Sequence, residues 1–171
     1  MKPSRLFLYR LVCALLPETR GFALKRALLR WCGATVGANV RVNSSATILG
    51  NGTLTIGDDV WIGPRCFVSS IAPAGVEIQP HCDLAPGVML LTGSHRVDPE
   101  GEHIGGEGYA ASVTVGAGSW LGANATVLPG VTLPAKSLVA AGAVVTKSPE
   151  VPQGHRGMLL AGVPACVKRK Y

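Results

Sequence analysis

Histidine is the side chain best suited to acid–base work near neutral pH, and the four histidines of this sequence stand in different settings. His95 ends the run Thr92-Gly93-Ser94-His95, at the point where a regular pattern gives way to a long irregular segment. A histidine there is held by ordered chain on one side and can be covered on the other. Position alone leaves two readings open, a general base and an exposed, idle side chain. His81 closes Ile78-Gln79-Pro80-His81, a turn within the pattern, where a solvated ring is expected; His103 and His155 lie in glycine-rich stretches without partners at a useful spacing. The five cysteines, Cys13, Cys32, Cys66, Cys82 and Cys166, show no C-x-x-C spacing, so neither a disulfide framework nor a metal site is indicated. That usage fits a reducing compartment, the cytoplasm.

The pattern that positions His95 has a period of six. Val115, Leu121, Val127, Leu133, Val139 and Val145 are in unbroken register, and two positions before each stands Val113, Ser119, Ala125, Val131, Ser137 or Ala143. Gly, Pro, Asn and Ala fill the positions between, which are turn formers for the most part. No helix has that period. A short β segment plus a turn, repeated every six residues, describes an all-β solenoid, the parallel β-helix, in which three repeats close one triangular coil and each coil buries its apolar side on the next. The same phase recurs at Val36, Val42 and Ile48, at Ile56, Ile62 and Val68, and at Ile78, Leu84 and Leu90, with slips at Leu54-Thr55 and from Pro73 to Glu77. Cys66 and Cys82 fall in the column of small residues and are expected to be buried and inert. Between Leu90 and Val115 some twenty residues leave the coil, and an irregular loop of that length in a regular array is functional or disordered.

The first residues lack the period. Leu11 to Leu16 is an apolar run stopped by Pro17, and Leu24, Ala27, Leu28 and Trp31 share one face of a second segment with Lys25, Arg26 and Arg30 off it. Residues 1–34 are therefore expected to form a helical cap over the open end of the solenoid, and 35–171 the β-helix with a protruding loop at 92–112 and a C-terminal tail. Arg10 breaks the apolar run and no small-residue cleavage site follows, which argues against a secretory signal; the run is too short to span a bilayer. Composition agrees with one core of low aromatic content: 171 residues, 47% hydrophobic, Gly 22 and Pro 12. The net charge of +6 is uneven, with Lys2, Arg5, Arg10, Arg20, Lys25, Arg26 and Arg30 facing only Glu18 in the first thirty residues. An anionic ligand, peripheral contact with an anionic membrane or solubility each accounts for this. Nucleic acid is not expected, because no reading motif or aromatic interleaving accompanies the charges.

Four ordered motifs carry a family resemblance: the repeats, Thr92-Gly93-Ser94-His95, the segment Val113-Thr114-Val115-Gly116-Ala117-Gly118-Ser119-Trp120-Leu121-Gly122 with Val144-Val145-Thr146-Lys147, and the closing Ala161-Gly162-Val163-Pro164-Ala165. Over roughly Gly33 to Arg169 the chain resembles the hexapeptide-repeat acyltransferases, most closely the maltose, galactoside and polysaccharide O-acetyltransferase branch. The resemblance implies a left-handed β-helix, an exception to the right-handed crossover rule, a homotrimer with active sites between subunits, and acetyl-CoA as donor to a hydroxyl of a sugar or glycoconjugate. It makes His95 the base that deprotonates the acceptor. Trp120, with Gly122 in the same segment, lines the acetyl and pantetheine passage, buried packing being the other reading of the indole. The amide of Ala123 faces the thioester oxygen, and Ala141 and Gly142 run beside the pantetheine arm. Thr146, Lys147 and Arg169 match positions near the adenine and phosphates, with Lys168 and Lys170 adding charge. Asp98 and Glu107 are candidates to orient His95, or else solvated loop carboxylates.

The chain departs from that branch where an acceptor-binding Asn is usual, since Cys66 to Ser70 contains none; its basic amino-terminal segment looks like the cap of polysaccharide-modifying members; Cys166 replaces a commonly basic residue; and Ser148 to Met158 is long. Acetyl transfer in bacterial surface polysaccharide or glycoconjugate biosynthesis is the expectation. Another small acceptor (serine, an amino sugar, an antibiotic), a zinc-dependent γ-class carbonic anhydrase and a non-catalytic scaffold are the alternatives. The anhydrase is disfavoured because His81, His95 and His103 lack a close His-x₄-His pairing.

Overall fold

A computed structural model describes residues 1–150 and 157–171 of the chain; His155 and most of the 148–158 stretch lie outside the described residues. The six-residue register becomes a triangular parallel β-helix. One face stacks Thr35–Val36, Thr53–Ile56, Gly75–Ile78, Val113–Val115 and Thr132–Leu133. The second stacks Arg41–Val42, Trp61–Ile62, Asp83–Leu84, Trp120–Leu121 and Ser137–Val139, and is extended by Met158–Gly162 and the antiparallel Ala165–Lys170. The third stacks Thr47–Leu49, Phe67–Ser69, Met89–Leu91, Thr126–Val127 and Val144–Val145.

The aliphatic column points inward throughout: Ile48, Ile62, Ile78, Leu84, Leu90, Leu121, Val127 and Val139 have no exposed surface. Each such side chain contributes about 1.5–3 kcal/mol by burial. The second column is buried as well, and its polar members are satisfied locally, which is why small hydroxyl and thiol groups are tolerated there. Ser119 Oγ donates to the Gly116 carbonyl at 2.6 Å, Ser137 Oγ to Pro134 at 2.7 Å, Cys66 Sγ to Ala85 at 3.2 Å and Cys82 Sγ to Gly116 at 3.2 Å. Burial pushes the Cys66 thiol up to about 11 and the Cys82 thiol up as well, as expected of inert structural cysteines.

The slips in register all fall at one corner, between the third face and the first. Residues between Leu49 and Thr53, between Ser69 and Gly75, and between Leu91 and Val113 project there from successive coils, so the core stays in phase while one edge grows outward. The longest of these segments is not the irregular loop the sequence suggests. Gly93–Val97 and Gly105–Ala110 pair as an antiparallel hairpin. Neither strand has a buried face, so no alternation of apolar and polar residues marks it.

Two helices, α1 (Pro3–Ala14) and α2 (Phe22–Trp31), cover the first coil and share its core through Leu6, Tyr9, Cys13, Leu29 and Cys32. The face expected of α2 is corrected. Leu24 and Trp31 are 46% and 44% exposed, whereas Lys25 and Leu29 are buried. The cause is the first coil's open edge, whose carbonyls have no coil above them and demand donors. Lys25 Nζ donates to Val42 O at 3.0 Å and Glu18 O at 3.1 Å, Arg26 to Val40 O at 3.0 Å, and Arg30 to Val36 O at 2.6 and 2.9 Å. Three of the seven amino-terminal cations are thus consumed in capping a sheet edge. Desolvation lowers the Lys25 pKa, while these carbonyls keep its ammonium hydrogen-bonded.

Candidate active site

Thr92 roots the hairpin that carries His95. Its side chain is fully buried; its amide and its Oγ1 both donate to Ser69 O at 3.1 Å, Oγ1 accepts from the Ile71 amide at 2.8 Å, and its carbonyl takes the Ala111 amide at 2.8 Å. Both strands of the hairpin therefore leave the coil from one fixed residue. His95 lies opposite Gly108, beside a register shift between His95 and Val97, the kind of bulge that re-aims a side chain.

The ring of His95 is oriented by main chain. Nδ1 stands 2.8 Å from the Gly106 carbonyl, and a carbonyl oxygen can only accept, so Nδ1 carries a proton and in the neutral ring Nε2 holds the lone pair. This is the tautomer a general base requires. Neither carboxylate expected to orient the ring does so within the chain. Asp98 Oδ1 instead accepts from the amides of Glu100 and Gly101 at 3.3 and 3.0 Å, closing the hairpin turn, and exposed Glu107 makes no hydrogen bond among the described residues. Sequence reasoning missed Gly106, because a main-chain acceptor has no residue signature. Its one trace is indirect: a Cβ on Gly106 would come within 2.7 Å of Asp98 Cβ, so a side chain there would displace the turn.

Beside His95 is a cavity of about 500 Å³ lined by Ser69, Ile71, Pro73, Ser94 and Tyr109. Arg96 lies over the Tyr109 ring at 5.6 Å. Ser69 and Ser94 supply hydroxyls, Ile71 and Pro73 an apolar wall. The segment that lacks the family's Asn thus still reaches the cavity that His95 lines, through Ser69.

The residues matched to the donor lie elsewhere on the triangle. Trp120 points outward from the second face, 56% exposed, between Asp83 and Leu138 of adjacent coils; it is not a packing residue. Gly122 and Ala123 turn the next corner, directly above Ala141 and Gly142, and the Gly142 amide donates to Ala123 O at 2.8 Å. Gly122 must be glycine, since a Cβ would stand 2.6 Å from the Ala141 nitrogen. The Ala123 N–H has no acceptor among the described residues. Lys147 and Lys170 line one cavity of about 490 Å³ with Leu160 and Cys166. Thr146 and Lys168 are exposed, and Arg169 lies over Tyr171 at 5.3 Å on the antiparallel strand that ends the second face.

The structure therefore places Trp120, Gly122, Ala123, Ala141, Gly142, Lys168 and Arg169 along the second face and its far corner, Thr146 and Lys147 just past Val144–Val145 at the end of the third face, and His95 on the hairpin at the corner beyond the third face. A face of about five extended residues at ~3.3 Å each separates Ala123 from the hairpin by on the order of 15 Å. One chain does not bring His95 and the Ala123 amide together.

The hexapeptide-repeat family described as "Hexapeptide repeat of succinyl-transferase" matches residues 112–147. The galactoside O-acetyltransferase of Escherichia coli K12 is 32% identical over 135 residues, 79% of this chain and 53% of that protein. The E. coli K12 acetyltransferase whose name assigns it to colanic acid biosynthesis is 32% identical over 121 residues, 71% of this chain and 63% of that one. The chain thus spans little more than half the length of these relatives. The hexapeptide-repeat acetyltransferase of Vibrio cholerae O1 biovar El Tor, solved with acetyl coenzyme A, superposes with a TM-score of 0.72 over 98% of this chain and 86% of its own, at 24% identity, a likeness of fold.

Proposed function

From the premise that the chain belongs to the hexapeptide-repeat acyltransferase family, we propose that it is an acetyl-CoA-dependent O-acetyltransferase acting on a hydroxyl of a sugar or glycoconjugate. The observation that carries this reading is the His95 ring, with Nδ1 committed to the Gly106 carbonyl at 2.8 Å and Nε2 free beside the cavity. A sugar hydroxyl is too weak an acid to attack a thioester unaided, and a positioned base contributes about 10²–10⁴ in rate. His95 Nε2 takes the hydroxyl proton as the oxygen attacks the acetyl carbonyl. The tetrahedral oxyanion is held by the Ala123 amide, a donor typically worth about 10²–10³. Collapse breaks the carbon–sulfur bond, and the departing thiolate of coenzyme A takes the proton back from His95. The ester and free coenzyme A are the products, with no acyl-enzyme.

The separation of His95 from Ala123 supports a homotrimer in which the hairpin of one chain meets the second face of the next. Trp120 then lies in the groove between chains, a flat apolar wall for the pantetheine arm, and Lys147 and Lys170 meet the phosphates at its far end. Relatives named for galactoside and colanic acid acetylation favour a carbohydrate acceptor, and Glu18, the sole acid of the first thirty residues, is engaged by the Ser45 amide at 3.1 Å. The test is a screen of free, nucleotide-linked and lipid-linked sugars, serine and amines with acetyl-CoA, read by product mass. O-acetylation of a carbohydrate is expected; transfer confined to amines, or none with any acceptor, refutes the reading.

A further inference from the structure

α1 is apolar on two opposite sides. Leu6, Tyr9 and Cys13 are buried against the first coil, while Phe7, Leu8, Leu11 and Leu15 stand 50–88% exposed. At 100° per residue these four occupy a single stripe about 100° wide, the width of a face that normally packs on something. Leu24 and Trp31 of α2 are exposed beside it, Trp31 being tied to α1 through Arg5, which donates to its carbonyl and lies over its ring at 4.7 Å. No helix of the described residues is long and apolar enough to cross a membrane.

The exposed charge of the cap is predominantly basic. Lys2, Arg10 and Arg20 are exposed and, unlike Arg5, Lys25, Arg26 and Arg30, make no side-chain hydrogen bond or ion pair among the described residues. Glu18, the sole acid of the first thirty residues, is exposed, and its carboxylate accepts from the Ser45 amide at 3.1 Å. We propose that the stripe of Phe7, Leu8 and Leu11 on α1 with its C-cap Leu15, together with the exposed cations Lys2, Arg10 and Arg20 of the same cap, seats the protein on an anionic membrane surface. Leucine, phenylalanine and tryptophan on one side with cations on the same cap match a helix lying in the headgroup region, its apolar side chains a few ångströms deep and the cations among the phosphates. A second copy of the same face is a poorer occupant, because isologous packing would bring two basic caps together.

The proposal does not rest on acetyl transfer, and its test needs no activity. The whole protein is floated with vesicles of phosphatidylcholine alone and of phosphatidylcholine doped with phosphatidylglycerol, at low and high salt. Binding only to the doped vesicles, weakened by salt, is expected. Phe7→Ser with Leu11→Ser should weaken it by about tenfold or more, and Arg10→Glu with Arg20→Glu by about fivefold per charge. Both pairs lie on exposed positions, and each variant is accepted only with wild-type circular dichroism. No binding of the wild type, binding equal in both variants, or a fall in oligomer mass in the serine variant with vesicles ignored would each overturn the proposal, the last by making the stripe a contact between copies.

Discussion

Replacing His95 tests the base and its main-chain support separately. His95→Ala removes both Nε2 and the bond from Nδ1 to Gly106. Loss of a positioned base should lower kcat by about 10²–10⁴, or roughly 2.7–5.4 kcal/mol of barrier, with the acetyl-CoA KM little changed. The ring is exposed, so the structural cost is that of one surface hydrogen bond, about 0.5–1.5 kcal/mol, or a Tm lower by about 1–6 °C. His95→Asn divides these effects: its side-chain amide reaches the place of Nδ1 and can still donate to Gly106, yet it has no basic lone pair. It should recover the Tm and stay as inactive as the alanine variant. Turnover is read by mass of the acetylated product with the acceptor found in the screen, which avoids thiol reagents that the exposed Cys166 would consume. Wild-type turnover in either folded variant refutes the assignment of the base. A His95→Asn variant no more stable than His95→Ala refutes the role given to the Gly106 carbonyl.

Leu133 is 1% exposed inside the fourth-to-fifth coil ladder with Val115, so Leu133→Asp should cost more than about 4 kcal/mol and unfold or de-assemble the protein; a wild-type melting curve would mean that the inward column is misassigned. Lys147→Ala and Lys170→Ala should each raise the acetyl-CoA KM, change kcat modestly and flatten the salt dependence of binding by calorimetry, since both face the 490 Å³ cavity; an unchanged KM at low ionic strength in both removes that cavity from the donor site. Of the five thiols, only Cys166 should react with a maleimide in the native state, and all five after unfolding. The Cys66 thiol rises from 9.0 to about 11 on folding, so the native state holds the proton longer. That contribution, roughly 2–3 kcal/mol, is complete below pH ~9 and lost as the pH rises toward ~11; a Cys66→Ala variant should show a flatter fall of Tm in that window, and an identical slope would refute it.

The six-residue spacing of Val115 through Val145 sufficed to specify a triangular coil, because a period that fits neither helix nor flat sheet leaves stacking as the one way to bury every sixth side chain. It also placed Cys66 and Cys82 indoors, since the same phase fixes both columns. What spacing could not contain were demands created by the assembled solenoid. The open carbonyls of Val36, Val40 and Val42 exist only once the coil has formed, and they drew Lys25, Arg26 and Arg30 inward against the apolar pattern of their helix. The His95 tautomer was likewise invisible, because its partner is the backbone of Gly106, eleven residues away across a hairpin with no buried side. The motif marked the histidine; only the folded hairpin decided which nitrogen keeps the lone pair, and the triangle's geometry put that nitrogen a full face away from the amide of Ala123.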